Sequence, residues 1–108
     1  MVGKVFKVIF SPKARRRLDQ ITDYLEEIAS AAVARKVRTN ILDAADKLKA
    51  LPESKPLLPD TENIPFEVRY AKSYSYKLIF RVEMTVDTVR ILNISHDAED
   101  PDKVIDNL

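Results

Sequence analysis

The stretch Tyr76-Lys-Leu-Ile-Phe-Arg-Val-Glu-Met-Thr-Val-Asp-Thr-Val-Arg-Ile-Leu-Asn-Ile-Ser-His96 decides the fold. Tyr76, Leu78, Phe80 and Val82 alternate with Lys77, Ile79, Arg81 and Glu83, which is the pattern of a half-buried strand. Thr88 to Ser95 reads as a second strand, but with apolar residues on both sides: Leu92 and Ile94 against Val89 and Ile91. Alternation therefore does not say which sheet face is covered. Met84-Thr-Val-Asp87 is the hairpin turn between them, without the usual Asn-Gly signal. Phe66 to Ala71 is a third run just upstream. Downstream, Asp100-Pro101-Asp102 places a capping carboxylate before a proline and predicts a short last helix through Val104 and Ile105.

Towards the N-terminus, Pro52, Pro56, Pro59 and Pro65 forbid regular helix over Leu51 to Pro65, so that segment reads as an extended linker. Before it run two apolar stripes at helical spacing. The first is Ala14, Leu18, Ile21, Leu25 and Ile28; the second is Ala34, Val37, Ile41, Ala44, Leu48 and Leu51. Ser11-Pro12 starts the first helix, because the serine oxygen accepts from free amides and proline has none to waste. The break at Ala29-Ser-Ala-Ala32 argues for an antiparallel helical hairpin, with one long helix as the alternative reading. Val5 to Phe10 is an opening strand with Phe6, Val8 and Phe10 on one face. The expected fold is α+β, in the order βααβββ(α): an antiparallel sheet with a helical hairpin on one face.

Composition narrows the function. At 108 residues, 45% of them hydrophobic, the chain suits one compact domain over residues 1–108. Eighteen Lys and Arg against 17 Asp and Glu give a net charge of +1, which argues against a strongly polyanionic partner unless charges cluster. The absence of cysteine excludes disulfides, thiol catalysis and Cys-ligated zinc. A single histidine, His96, argues against a His-rich metal site, and a single glycine, Gly3, rules out glycine-rich phosphate loops. No cofactor or metal is expected. The start lacks a signal-peptide core and no apolar run is long enough to span a bilayer, so the expected compartment is the cytoplasm, with no membrane partner.

Ordered motifs across nearly the whole chain resemble the RelE/ParE superfamily of type II toxins. Phe10-Ser-Pro-Lys-Ala14, Leu18-Asp-Gln-Ile21 and Tyr24-Leu25 look like the family's first helix. Ala34 to Leu51 followed by Pro52 looks like its second. Val68-Arg69, Tyr76-Lys-Leu-Ile-Phe-Arg-Val82 and Val89-Arg-Ile-Leu-Asn-Ile-Ser-His96 look like its sheet strands. The resemblance implies a bacterial toxin held in check by a cognate antitoxin, alone as a homodimer or within a toxin–antitoxin hetero-oligomer. RelE-like members cut mRNA on the ribosome. ParE-like members, the plasmid-stabilisation toxins, inhibit DNA gyrase.

Cleaving RNA through the ribose 2′-hydroxyl takes a base, a phosphate-stabilising cation and an acid. By resemblance Arg69 holds the phosphate-binding position and His96 is the remaining acid–base candidate, with Lys77 or Arg81 in support. The stretch where the family carries cations is here Asp97-Ala-Glu-Asp100, and the tail Lys103 to Leu108 holds no tyrosine or histidine. The balance favours a ParE-like toxin that acts by binding its target, DNA gyrase by resemblance, rather than by bond chemistry of its own. A ribosome-dependent endoribonuclease and a decayed, non-toxic antitoxin binder are the alternatives. The resemblance also gives weight to the C-terminal region, Ile94 to Leu108.

Two further surfaces stand out. Lys13, Arg15, Arg16 and Arg17 open the first helix, and in an antiparallel hairpin they lie beside Lys47 and Lys49, forming a basic patch for an acidic protein or nucleic acid. At the other end Asp23, Glu26 and Glu27 are expected to face Arg35, Lys36 and Arg38. Arg69, Lys77, Arg81, Arg90 and His96, with Val5 or Phe6 on the first strand, are the expected antitoxin contacts. Alternation puts Arg81 on the face of Lys77 and Ile79, taken to be open to antitoxin carboxylates. Pairing with Glu67 or Glu83 is the plain alternative.

Overall fold

The computed structural model describes residues 4–106; Met1 to Gly3, which include the sole glycine, and Asn107 and Leu108 of the tail lie outside the described residues. The elements are β1 (Lys7–Phe10), α1 (Pro12–Ile28), α2 (Ala31–Asp46), β2 (Arg69–Ser73), β3 (Tyr76–Glu83), β4 (Thr88–His96) and α3 (Pro101–Asp106). Ser11 caps α1 as its position implies: its Oγ accepts from the Ala14 amide at 3.1 Å, and Pro12 opens the helix. The hairpin reading holds, and Ser30 is the reason. Its backbone is extended and its Oγ accepts from the Val33 amide at 3.1 Å, so the residue that weakens one long helix starts a second.

The sheet runs in the order β1-β4-β3-β2. β2, β3 and β4 are antiparallel neighbours, while β1 joins β4 in parallel, Lys7 opposite Thr88 and Phe10 opposite Ile91. A wholly antiparallel sheet is thus corrected at one edge. The sheet has one irregularity, and it resolves the two-sided apolar pattern of β4. Ile79 pairs with Asn93 and Phe80 with Ile91, leaving Leu92 as an extra residue. Such a bulge resets the alternation. Val89, Ile91 and Ile94 therefore all reach the core beneath the helices with Leu78, Phe80, Ala14, Leu18, Ile21, Ile41 and Leu48. The bulge is pinned by the start of α1, where the Ser11 amide donates to Ile91 O at 2.9 Å and Ser11 Oγ to Leu92 O at 3.2 Å.

The stripes overrun the core at both ends. Ile28 is 59% exposed and Leu51 is 70% exposed, whereas Ala45, outside the expected stripe, is buried. Leu51 leaves the helical register with a positive φ of 49°, just ahead of Pro52.

The opposite sheet face is covered too, contrary to expectation. Leu58, Val68, Ile79 and Val104 form a second buried cluster, flanked by Ile64, Phe66, Tyr70 and Ile105. The proline-rich linker folds back along β2 to build it, with the Leu58 amide donating to Val68 O at 2.7 Å and the Tyr70 amide to Pro56 O at 3.1 Å. This shields an edge strand that would otherwise template foreign pairing. Among the described residues, no helix is long and apolar enough to cross a membrane.

Candidate functional site

β4 ends at His96, and Ala98 and Glu99 of the next turn fold back onto it. His96 meets Tyr76 edge to face, with ring centroids 5.1 Å apart. The Ala98 amide donates to His96 Nδ1 at 2.9 Å, so in the neutral ring the proton sits on Nε2. Glu99 accepts from the His96 amide at 2.9 Å and pairs with Arg17 Nη2, while Arg17 Nε donates to Ile94 O at 3.2 Å. Asp97 takes both of its bonds from Lys72 Nζ, at 2.8 and 2.7 Å, and that hydrogen bonding holds its carboxyl below the ordinary value of 3.8. Asp100 Oδ1 accepts from the Asp102 amide at 3.0 Å, completing the expected cap of α3. The acidic run is therefore an internal fastening, and Asp97 and Glu99 have cations of their own. Burial pushes the Tyr76 phenol above its ordinary 10.0, a rise that nearby Arg17 opposes.

Arg69 lies elsewhere. It pairs along the sheet with Phe80, whereas His96 pairs with Tyr76, on the other side of β3. Four residues along the strand and two strand spacings across put them about 16 Å apart. Arg69 Nη1 donates to Lys55 O at 2.6 Å and Nη2 lies 3.6 Å from Glu67 Oε1, so its fork ties the linker down. The two nuclease candidates are not brought together.

Lys77, Arg81 and Arg90 share the far face, under the linker and α3. Lys77 Nζ sits 5.4 Å from the centre of the Tyr70 ring, and Arg90 Nε bonds Glu83 Oε1 at 2.9 Å. The Arg81 guanidinium lies on Phe66 at 4.0 Å. Its Nε is the one buried side-chain polar atom without a hydrogen-bond partner among the described residues. The ring's attraction for a cation offsets part of that cost.

Beside His96 opens a groove of about 470 Å³ that the sequence did not announce. Leu25, Val33 and Val37 from the hairpin form its apolar wall, Ser73 to Tyr76 form the other, and Lys36 and Asn40 sit on its rim. Tyr74, 79% exposed, stands at the turn of β2 into β3 with φ 53°. With Tyr24, Ile28 and Val33 also exposed, the tip of the molecule is an apolar surface of the kind proteins use for partners.

The profile of the family described as "ParE toxin of type II toxin-antitoxin system, parDE" matches residues 8–101. The chain belongs to the ParE toxin family. Among solved structures it is similar to the chromosomal ParDE toxin–antitoxin system from P. aeruginosa. That match has a TM-score of 0.70 at 21% identity, covering 87% of this chain and 98% of that one. It is also similar to the toxin–antitoxin complex RelBE2 from Mycobacterium tuberculosis, with a TM-score of 0.61 at 22% identity, covering 88% and 94%. No curated protein matches the sequence. These likenesses bear out the α+β fold of the RelE/ParE kind.

In this ParE-family chain the expected basic patch divides. Arg15 turns to the Phe10 ring, 5.6 Å from its centre, and Lys49 pairs with Asp46 at 2.6 Å. Lys47 is exposed near the end of α2. Lys13, Arg16 and Arg17 instead line a cleft of about 410 Å³ whose other wall is Lys103 and Val104 of α3. The hairpin's far end departs from expectation as well. Its cross-helix ion pair is Arg38–Asp19 at 3.0 Å, and among the described residues Asp23, Glu26 and Glu27 make no ion pair.

Proposed function

We propose that this type II toxin arrests growth by binding DNA gyrase rather than by cutting RNA, and that an antitoxin segment neutralises it at the apolar groove beside His96. The observation that carries this reading is the separation of Arg69 from His96. Their backbones lie about 16 Å apart and the Arg69 fork is turned to the linker, so the two groups do not converge on one scissile bond, where reacting groups need hydrogen-bond reach. Arg69 is further committed to the linker carbonyl of Lys55.

Membership in the ParE family supports the gyrase target, and the toxin–antitoxin complexes among the similar structures support an antitoxin partner. The groove suits an amphipathic peptide: Leu25, Val33 and Val37 offer apolar contact, and Lys36 offers a carboxylate contact at the rim. Within this reading the protein acts in the cytoplasm, where gyrase works, and needs no cofactor.

Induced expression in bacteria, with growth followed beside a purified-gyrase supercoiling assay, tests the proposal. Arrest with inhibited supercoiling is the expected result. Arrest with supercoiling intact and ribosome-bound mRNA cleaved overturns it in favour of the endoribonuclease. Absence of arrest marks an antitoxin binder that has lost its toxicity.

A further inference from the structure

We infer that the tip of the helical hairpin is a self-association surface, on which a second copy of this chain docks about a two-fold axis. Its apolar part is laid out as two matching stripes. On α1, Tyr24 and Ile28 are one turn apart and exposed. On α2, Val33 and Val37 are one turn apart and, with Leu25, form the apolar wall of the groove. Each stripe carries a charge on its own face: Glu27 stands one turn after Tyr24, and Lys36 one turn after Val33, both exposed.

The charges say what docks there. Asp23, Glu26 and Glu27 lie towards the end of α1, and Arg35 and Lys36 lie early in α2. Among the described residues none of them makes an ion pair. Glu26 and Glu27 also sit at the negative end of the α1 dipole, with no basic residue in that last turn. The monomer thus leaves acids and bases of adjoining helices unneutralised at one end of the molecule.

A wholly acidic or wholly basic partner would meet like charge on one of the two helices. A surface with both signs in separate places is complementary to itself, because a two-fold axis sets each α1 against the other copy's α2 and makes every contact twice. In that pairing Tyr24 and Ile28 of one copy fill the groove of the other, and Glu27 of each meets Lys36 of the other. An aromatic anchor inside a charged rim is the usual anatomy of such contacts. The groove is the same one proposed for the antitoxin, so the dimer covers it, and an antitoxin reaches it only as the copies part. The self-association itself requires neither antitoxin nor gyrase, and its test contains neither.

Sedimentation equilibrium of the purified full-length chain from about 1 μM to about 1 mM provides the test, a range that spans weak to moderate association. A rise from monomer to dimer mass with concentration is expected. Glu27→Lys and Lys36→Glu should each weaken the dimer about tenfold or more, since each reversal acts at two contacts, and both in one chain should restore it to within about threefold. Lys47→Glu, an equal charge change at the other end of α2, should leave the dimer unchanged. Misfolding does not mimic this pattern. Glu27→Lys removes an acid from the negative end of α1, so in dilute solution, where the parent is monomeric too, its melting temperature should hold or rise. A monomer at about 1 mM overturns the inference. So does a dimer indifferent to both single reversals, one that Lys47→Glu weakens equally, or a combined variant no tighter than the single ones. Growth into open chains overturns the two-fold arrangement.

Discussion

Replacing Arg69 by alanine separates a structural arginine from a catalytic one. Its Nη1 donates to Lys55 O at 2.6 Å from a side chain only 18% exposed, so truncation leaves that linker carbonyl without its charged donor. A hydrogen bond to a charged group is worth about 1.5–3 kcal/mol. The 3.6 Å contact with Glu67 adds little, because Glu67 is 72% exposed and water screens the pair. A loss of about 2 kcal/mol lowers the melting temperature of a domain this size by about 8 °C or more. The linker should also become cleavable by chymotrypsin between Leu57 and Leu58, since the Leu58–Val68 and Tyr70–Pro56 bonds beside it lose their anchor. Arg69→Lys should recover part of the stability, one ammonium replacing one arm of the fork. Circular dichroism melts with timed proteolysis read both effects. A variant that melts within about 1 °C of the parent, keeps its linker intact and yet loses toxicity would refute the reasoning and return Arg69 to a chemical role.

Other expectations follow from single contacts. Ser30→Ala removes the oxygen that caps α2 and should cost about 1 kcal/mol in urea unfolding, with the slope unchanged. Asp97 has its folded-state carboxyl below the ordinary 3.8, so its contribution is present above that value and is lost as pH falls through the lower one. Acidification should therefore free the Asp97 amide, which donates to Ser75 O at 2.8 Å; hydrogen exchange reads this, and Asp97→Asn should show no such step. Val33→Asp puts a carboxylate in the groove at a site already 41% exposed. Calorimetry against the cognate antitoxin should show affinity down about tenfold or more with folding preserved.

Local devices were legible in the sequence. Ser11-Pro12 names its own cap, Asp100-Pro101 repeats it, and the alternation from Tyr76 to Val82 marks both faces of β3 correctly. What escaped depends on partners distant in the chain. The face of β4 was unreadable because the bulge at Leu92 shifts the alternation midway, and no residue type marks a bulge in advance. The parallel pairing of β1 was hidden for a similar reason: its partner strand begins near the far end of the chain. The far sheet face looked open because prolines exclude helix from the linker without saying what its leucines cover. For the candidate site, charges were counted correctly and the plain pairings of Arg69 with Glu67 and Arg90 with Glu83 hold, but the partners of the acidic run were not foreseen. Asp97 and Glu99 meet Lys72 and Arg17, and a cleft replaces the patch expected between the hairpin ends.

The parallel pairing of Lys7 with Thr88 has a consequence during synthesis. The strand made first cannot find its place until nearly the last strand has been made. Helices α1 and α2 can form early, since their bonds are local, but their buried stripe has no sheet to rest on until β3 and β4 emerge. A ribosome that stops anywhere before His96 therefore releases a fragment with an unfinished sheet and exposed apolar helices, fit for proteolysis rather than for poisoning. The folded chain thus appears only once β4 has been made, a delay built into the order of its strands.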